Sequence, residues 1–157
     1  MALRYIYLPI IAGFIATIGI TSVLWLIDKI GWTKADMVRA VGSMFTKSYE
    51  NALKVGLIIH FVAGIVISAV YLHILSILQL TDIVSTTFVG GIIGFIHGFA
   101  FSFVMVIVAE QHPVKEFQEA DFHVAVAHVL GHITYGLIIG ALFGLFAMAG
   151  IDLSPAI

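Results

Sequence analysis

Long unbroken apolar runs dominate the chain, and the charged positions fall between them. Four stretches contain no Asp, Glu, Lys or Arg: 5–27, 55–80, 83–109 and 124–148. Each exceeds the roughly 20 residues that carry an α-helix across a bilayer, so each predicts a transmembrane helix with some tilt. Only Thr81 and Asp82 part the second run from the third. One helix through both would far outrun a membrane, so the pair marks a tight helical hairpin. Pro9 is expected in the first turn of span one, where its missing N–H does little harm. No small-residue cleavage site follows that span, which reads as a retained anchor rather than a signal peptide.

Between spans one and two the pattern becomes helical and two-sided. Met37, Val41, Met44 and Phe45 fall on one face, while Lys34, Arg39 and Lys47 can stay wet. With Thr33 and Asp36 resembling an N-capping pair, this predicts an interfacial amphipathic helix over about 33–51. It reads as a bridge between spans, with a lipid- or partner-sensing role as the alternative.

Composition agrees. Apolar residues make up 61% of the 157 and charged residues 10%, against roughly 45–50% and 25% in soluble domains. A chain this short could not hide so much hydrocarbon from water. The expected fold is an all-α, four-helix transmembrane bundle forming a single domain over 1–157, with the lipid bilayer as its first partner. The absence of cysteine excludes disulfides, thiolate-held clusters and cysteine nucleophiles. A net charge of −2 gives no reason to expect nucleic acid. Lys29, Lys34, Arg39, Lys47, Lys54 and Lys115 flank or occupy loops one and three, against Arg4 alone on the other side. The positive-inside rule then puts those loops in the cytoplasm of a prokaryotic cell and both termini outside.

An internal repeat is also legible. Setting His60 against His132 pairs Gly64 with Gly136, Ser68 with Gly140 and Tyr71 with Phe143. Gly13-Phe14-Ile15 answers Gly94-Phe95-Ile96 in spans one and three. Two related hairpins would point the same way, about an axis along the membrane normal. His60 and His132 would then face one another at equal depth.

Histidine inside hydrocarbon must face protein, water or a ligand. His60, Gly64 and Ser68 share one helix face; His128, His132, Gly136, Gly140 and Gly144 share another. The small residues read as helix-packing positions, and the plainest role for each histidine is a hydrogen bond to a neighbouring helix. Three functional readings compete with that. In the first, His60 and His132 are axial ligands of one haem b, with Gly13 and Gly94 leaving room for the macrocycle. The second is a single transition-metal ion held by His60, His128 and His132, with Glu110 and His97 in support and His112 and His123 near the same boundary. The third is a proton relay through the same imidazoles. His97 has Ala16 as its repeat mate, so symmetry does not support it, and His73 lies off the face of His60. The third loop, with Glu110, Glu116, Glu119 and Asp121 around Pro113 and Lys115, reads as a solvated acidic connector. No phosphate-binding loop, zinc-protease pair or serine elbow occurs, which favours a protein that is not an enzyme on its own.

Met37-Val-Arg-Ala-Val-Gly-Ser-Met44, His60-Phe61 running into Gly64, Gly90-Gly91 through Gly94, and His132, Tyr135, Gly136 and Gly140 together set a pattern. In these motifs the chain resembles small four-span prokaryotic membrane proteins classed as a domain of unknown function. That resemblance implies the architecture and no activity; the acidic third loop lies outside it. The histidine layout is more weakly similar to membrane b-type cytochromes, except that His73 meets Leu145 and allows one haem at most. The expected role is an accessory or assembly subunit of a larger membrane complex, or a homo-oligomer, docking through its small-residue stripes. The alternative is a haem- or metal-binding redox subunit.

Overall fold

The computed structural model describes residues 4–153. The side chain of Arg4 and both chain ends, on which the charge count and the placing of the termini partly rest, lie outside the described residues. Among these residues the chain forms five α-helices, α1 (Arg4–Lys29), α2 (Met37–Thr46), α3 (Ala52–Ile77), α4 (Ile83–Ala109) and α5 (Phe122–Met148), with one 3-10 turn at Lys115–Phe117 and no strand. Helices α1, α3, α4 and α5 are each long and apolar enough to cross a membrane. The protein is an all-α membrane protein.

Where the helix ends differ from expectation, local chemistry explains it. Helix α1 starts at Arg4, so Pro9 sits in its second turn, and the Pro9 carbonyl accepts a 2.7 Å hydrogen bond from Ser68 Oγ. Helix α3 takes in Lys54 and starts three residues early, because a long cationic side chain at a helix end can reach out of the hydrocarbon. It stops at Ile77 because Gln79 turns to a φ of 55°. Asp82 then caps α4 by accepting from Ser85 N at 2.8 Å, and Asp121 caps α5 by accepting from Val124 N at 2.9 Å.

Helix α2 is shorter than predicted, and only part of its predicted apolar face is buried. Asp36 alone is its N-cap, accepting from Arg39 N at 3.1 Å, and Lys47 ends it in the left-handed region. Met44 and Phe45 of the predicted face are exposed, whereas Met37 of that face is buried with Val38, Ala40, Gly42 and Ser43, and Val41 is half-buried. The reason is a glycine crossing. A Cβ on Gly42 would collide with the Ala52 carbonyl, and one on Gly56 with the Val38 carbonyl. Helix α2 is therefore seated on the first turns of α3 rather than lying only on headgroups.

The tightest packing joins α4 to α5; α1 lies against both α3 and α5, and α3 and α4 scarcely touch. A cleft of about 330 Å³ opens between α3 and α4, walled by Ile67, Val70, Ile74, Ile93, Ile96, Tyr71 and His97. Each hairpin closes at small residues. Gly13 meets Ile65 and Ser68 of α3, while Gly94 meets His132 and Ile133 of α5, and Gly90 meets Gly136 and Gly140.

Candidate functional site

The small-residue positions bring the histidines together by letting backbones close. A Cβ on Gly140 would strike the Thr86 carbonyl, one on Gly144 would come within 2.6 Å of Ile83 Cα, and one on Gly64 would strike Thr17 Oγ1. These positions are thus occupied by contacts within the chain. Ser68 is fully buried against α1 in the same way.

Helices α3 and α5 start at the same end of the bundle, the basic end. His60 lies roughly two turns into α3 and His132 roughly three turns into α5. Both line one chamber of about 280 Å³, together with His97, His128 and Tyr135. His128 is 2% exposed and His132 9%. His128 Nδ1 lies 2.7 Å from the Val124 carbonyl, and His132 Nδ1 lies 2.8 Å from the His128 carbonyl. A carbonyl only accepts, so both Nδ1 atoms carry the hydrogen and both Nε2 atoms present a lone pair. Nε2 of His128 and Nε2 of His60 are buried without any hydrogen-bond partner.

Aromatic rings complete the wall. The rings of His97 and His132 meet edge-on with centroids 4.6 Å apart, and Phe101 lies 5.5 Å from His132. Tyr71 Oη sits 3.0 Å from His97 Nδ1. Tyr135 Oη donates to the Gly64 carbonyl, fixing α5 to α3 at the edge of the chamber.

A second cavity of about 270 Å³ reaches from the basic end to the same place. Lys34, Asp36, Glu116 and Glu119 stand among its lining residues, and it shares Met37, Val41, Phe101 and His128 with the histidine chamber. Helix α2 forms one wall of this passage and is held by His112, which is 4% exposed. His112 Nε2 donates to the Ala40 carbonyl at 2.9 Å, and His112 Nδ1 accepts from Val114 N at 3.1 Å. The third loop is therefore not wholly a solvated connector: Glu110, Glu116, Glu119 and Asp121 are exposed, but His112 and Val114 are interior.

Not every sequence candidate joins the chamber. Glu110 is exposed at the end of α4 and lines neither cavity. His123 pairs with Asp121 at the surface, and His73 is exposed near the opposite end. Gly13 and Gly94, which the haem reading uses for room, are covered by the backbones of α3 and α5. At 280 Å³ the chamber falls below the roughly 300–1,000 Å³ of sites for drug-sized ligands. Among the described residues no three His, Asp or Glu side chains converge on a point suited to a metal ion.

The model of one protein family matches residues 3–150, nearly the whole chain. The chain belongs to the family of unknown function DUF6789. Its four apolar helices make this DUF6789 member a membrane protein, as the motif resemblance implies. No curated protein and no solved structure matches it. Three residues of this DUF6789 chain escaped sequence reasoning. Tyr71 was legible only as the repeat mate of Phe143, Tyr135 only as part of a glycine-led motif, and His112 only as a boundary histidine near the metal reading's ligands.

Proposed function

We propose that this membrane protein works through the histidine chamber as a proton relay, taking protons from water at its basic end. The carrying observation is the pair of buried, partnerless Nε2 atoms on His60 and His128. A buried polar nitrogen left without a partner costs about 1–3 kcal/mol, and two of them stand in one chamber. Imidazole exchanges protons near neutral pH, and the adjoining cavity, lined by Glu116, Glu119 and His128 alike, joins that imidazole to the basic end. The contacts of Gly13 with Gly64 and of Gly94 with Gly136, mates in the sequence alignment, support a duplicated origin for the bundle, and the basic flanks support a cytoplasmic mouth. The reading needs neither haem nor metal at His60 and His132.

The experiment is proton flux in liposomes holding a pH-sensitive dye. The wild-type protein dissipates an imposed pH step faster than His60→Phe or His128→Phe. Equal rates for all three proteins overturn the relay.

A second reading, an accessory subunit, draws on a different surface. Phe88, Phe95, Phe99 and Phe103 project outward from α4, and the Phe95–Phe99 and Phe99–Phe103 rings touch. A single cysteine at Phe99 in this cysteine-free chain would crosslink to a neighbouring helix in native membranes if that ridge docks a partner, and would label only with lipid-phase reagents if it does not.

A further inference from the structure

The chamber is walled by rings on one side and adjoins an aliphatic cleft on the other. Phe101, His97, His132 and Tyr135 supply the rings. Ile67 and His97 line both the chamber and the cleft between α3 and α4. Beyond them the cleft is walled by Val70, Ile74, Ile93 and Ile96, and it faces the lipid because α3 and α4 scarcely touch. Inside, His128 Nε2 offers a lone pair with nothing donating to it, and His60 Nε2 is likewise unpartnered. A hydroxyl matches both, since it can donate one hydrogen bond and accept another. A ring would lie against the aromatic wall in the edge-on or offset contacts that such pairs prefer, and an alkyl tail would lie along the cleft.

We propose that the chamber binds a lipid-soluble phenol, a hydroxylated aromatic head with an aliphatic tail, entering from the bilayer between α3 and α4. Its O–H donates to His128 Nε2, and its tail leaves past Ile67. This goes beyond the relay reading by naming a membrane-side molecule that fits the chamber, and it rests on the same two imidazoles.

The test uses the full-length protein, with its histidines labelled with ¹⁵N, in lipid nanodiscs. 4-Hexylphenol is titrated against its methyl ether, 4-hexylanisole, which has the same shape and no hydrogen to donate. The phenol shifts the Nε2 signals of His60 and His128, assigned from His60→Phe and His128→Phe; the ether does not. Ile67→Trp, which narrows the passage, weakens phenol binding by about tenfold. Ile96→Trp, on the exposed rim of the cleft, weakens it without disturbing the bundle interior. Equal shifts from the ether, or shifts at exposed His73 without any at His60 and His128, overturn the proposal. Liposome flux measured without phenol separates the two readings. Flux lost in the histidine variants with no phenol binding sinks only this inference. Phenol binding without flux sinks only the relay.

Discussion

His97 on α4 and His132 on α5 stand edge-on, with ring centroids 4.6 Å apart and planes 76° apart. Glycine makes this possible: a Cβ on Gly98 would lie 2.7 Å from His132 Cβ. His97 is held from its far side by Tyr71, whose Oη is 3.0 Å from Nδ1. Tyr71→Phe keeps the ring and removes the hydroxyl. The expected loss is about 0.5–1.5 kcal/mol of stability, with a changed ¹⁵N signal for His97 and an unchanged one for His128. A shift at His128 of equal size would show that Tyr71 acts on the whole chamber rather than on His97.

Backbone contact, not side-chain bulk, holds α4 to α5. Gly94→Ala would drive a methyl into the His132 carbonyl, and Gly140→Ala one into the Thr86 carbonyl. Neither carbonyl can move without its helix, so each change should cost about 1–3 kcal/mol. Gly19→Ala is the contrast, because its methyl meets chiefly the flexible end of Ile138. It should be neutral or stabilising by about 0.5–1 kcal/mol through helix propensity. Thermal unfolding in detergent reads all three.

His112 ties the third loop to α2 through the Ala40 carbonyl and the Val114 amide. His112→Ala strands two buried groups, at about 1–3 kcal/mol each. Hydrogen exchange should rise across 37–46 and 112–118 and stay unchanged in α5. Uniform protection would show that the Gly42–Gly56 crossing seats α2 unaided.

Substituting the unpartnered histidine separates stability from function. His128→Phe loses one bond to a carbonyl already within the helix ladder and removes the orphaned nitrogen, so stability should hold or rise by about 1 kcal/mol. His128→Ala leaves a void and should cost about 2 kcal/mol or more. Chemical denaturation compares them, and destabilisation of the Phe variant beyond the Ala variant would refute a strained, partnerless imidazole.

Two exposed caps give a pH signature. The backbone N–H of Val124 holds the Asp121 carboxyl below its ordinary range, and that of Ser85 does the same for Asp82. A carboxyl depressed in the folded state contributes its stability in full above the unfolded value, about 3.9 for Asp. That contribution fades as pH falls through the lower folded value. Acidification below about pH 3.9 should fray the first turns of α4 and α5, and Asp121→Ala should show the α5 fraying already at neutral pH. Amide exchange near 122–125 and 83–86 measures it.

The sequence was most readable where physics acts on one helix at a time. Absence of charge over the runs 83–109 and 124–148 fixed the spans to within two residues, since an uncompensated charge in hydrocarbon is costly. Helical periodicity put His128 and His132 on one face of a span, while only the internal repeat set His60 across from them. Symmetry, by contrast, argued against His97, which the fold brings to the centre because Gly98 allows His132 to approach. Of the apolar stripe of α2, Met37 is buried and Val41 half-buried, while Met44 and Phe45 stay exposed because the Gly42–Gly56 crossing draws Val38, Gly42 and Ser43 inward.

By itself the amino-acid sequence determined that this is an all-helical membrane protein with four spans and polar imidazoles inside them, because hydropathy and periodicity are local quantities summed along one chain. Only the tertiary structure decided which imidazoles share a chamber, which way their protons point, and that the glycine stripes close upon the chain itself. Those facts depend on how near one backbone comes to another, and that distance is set by pairs of residues far apart in sequence.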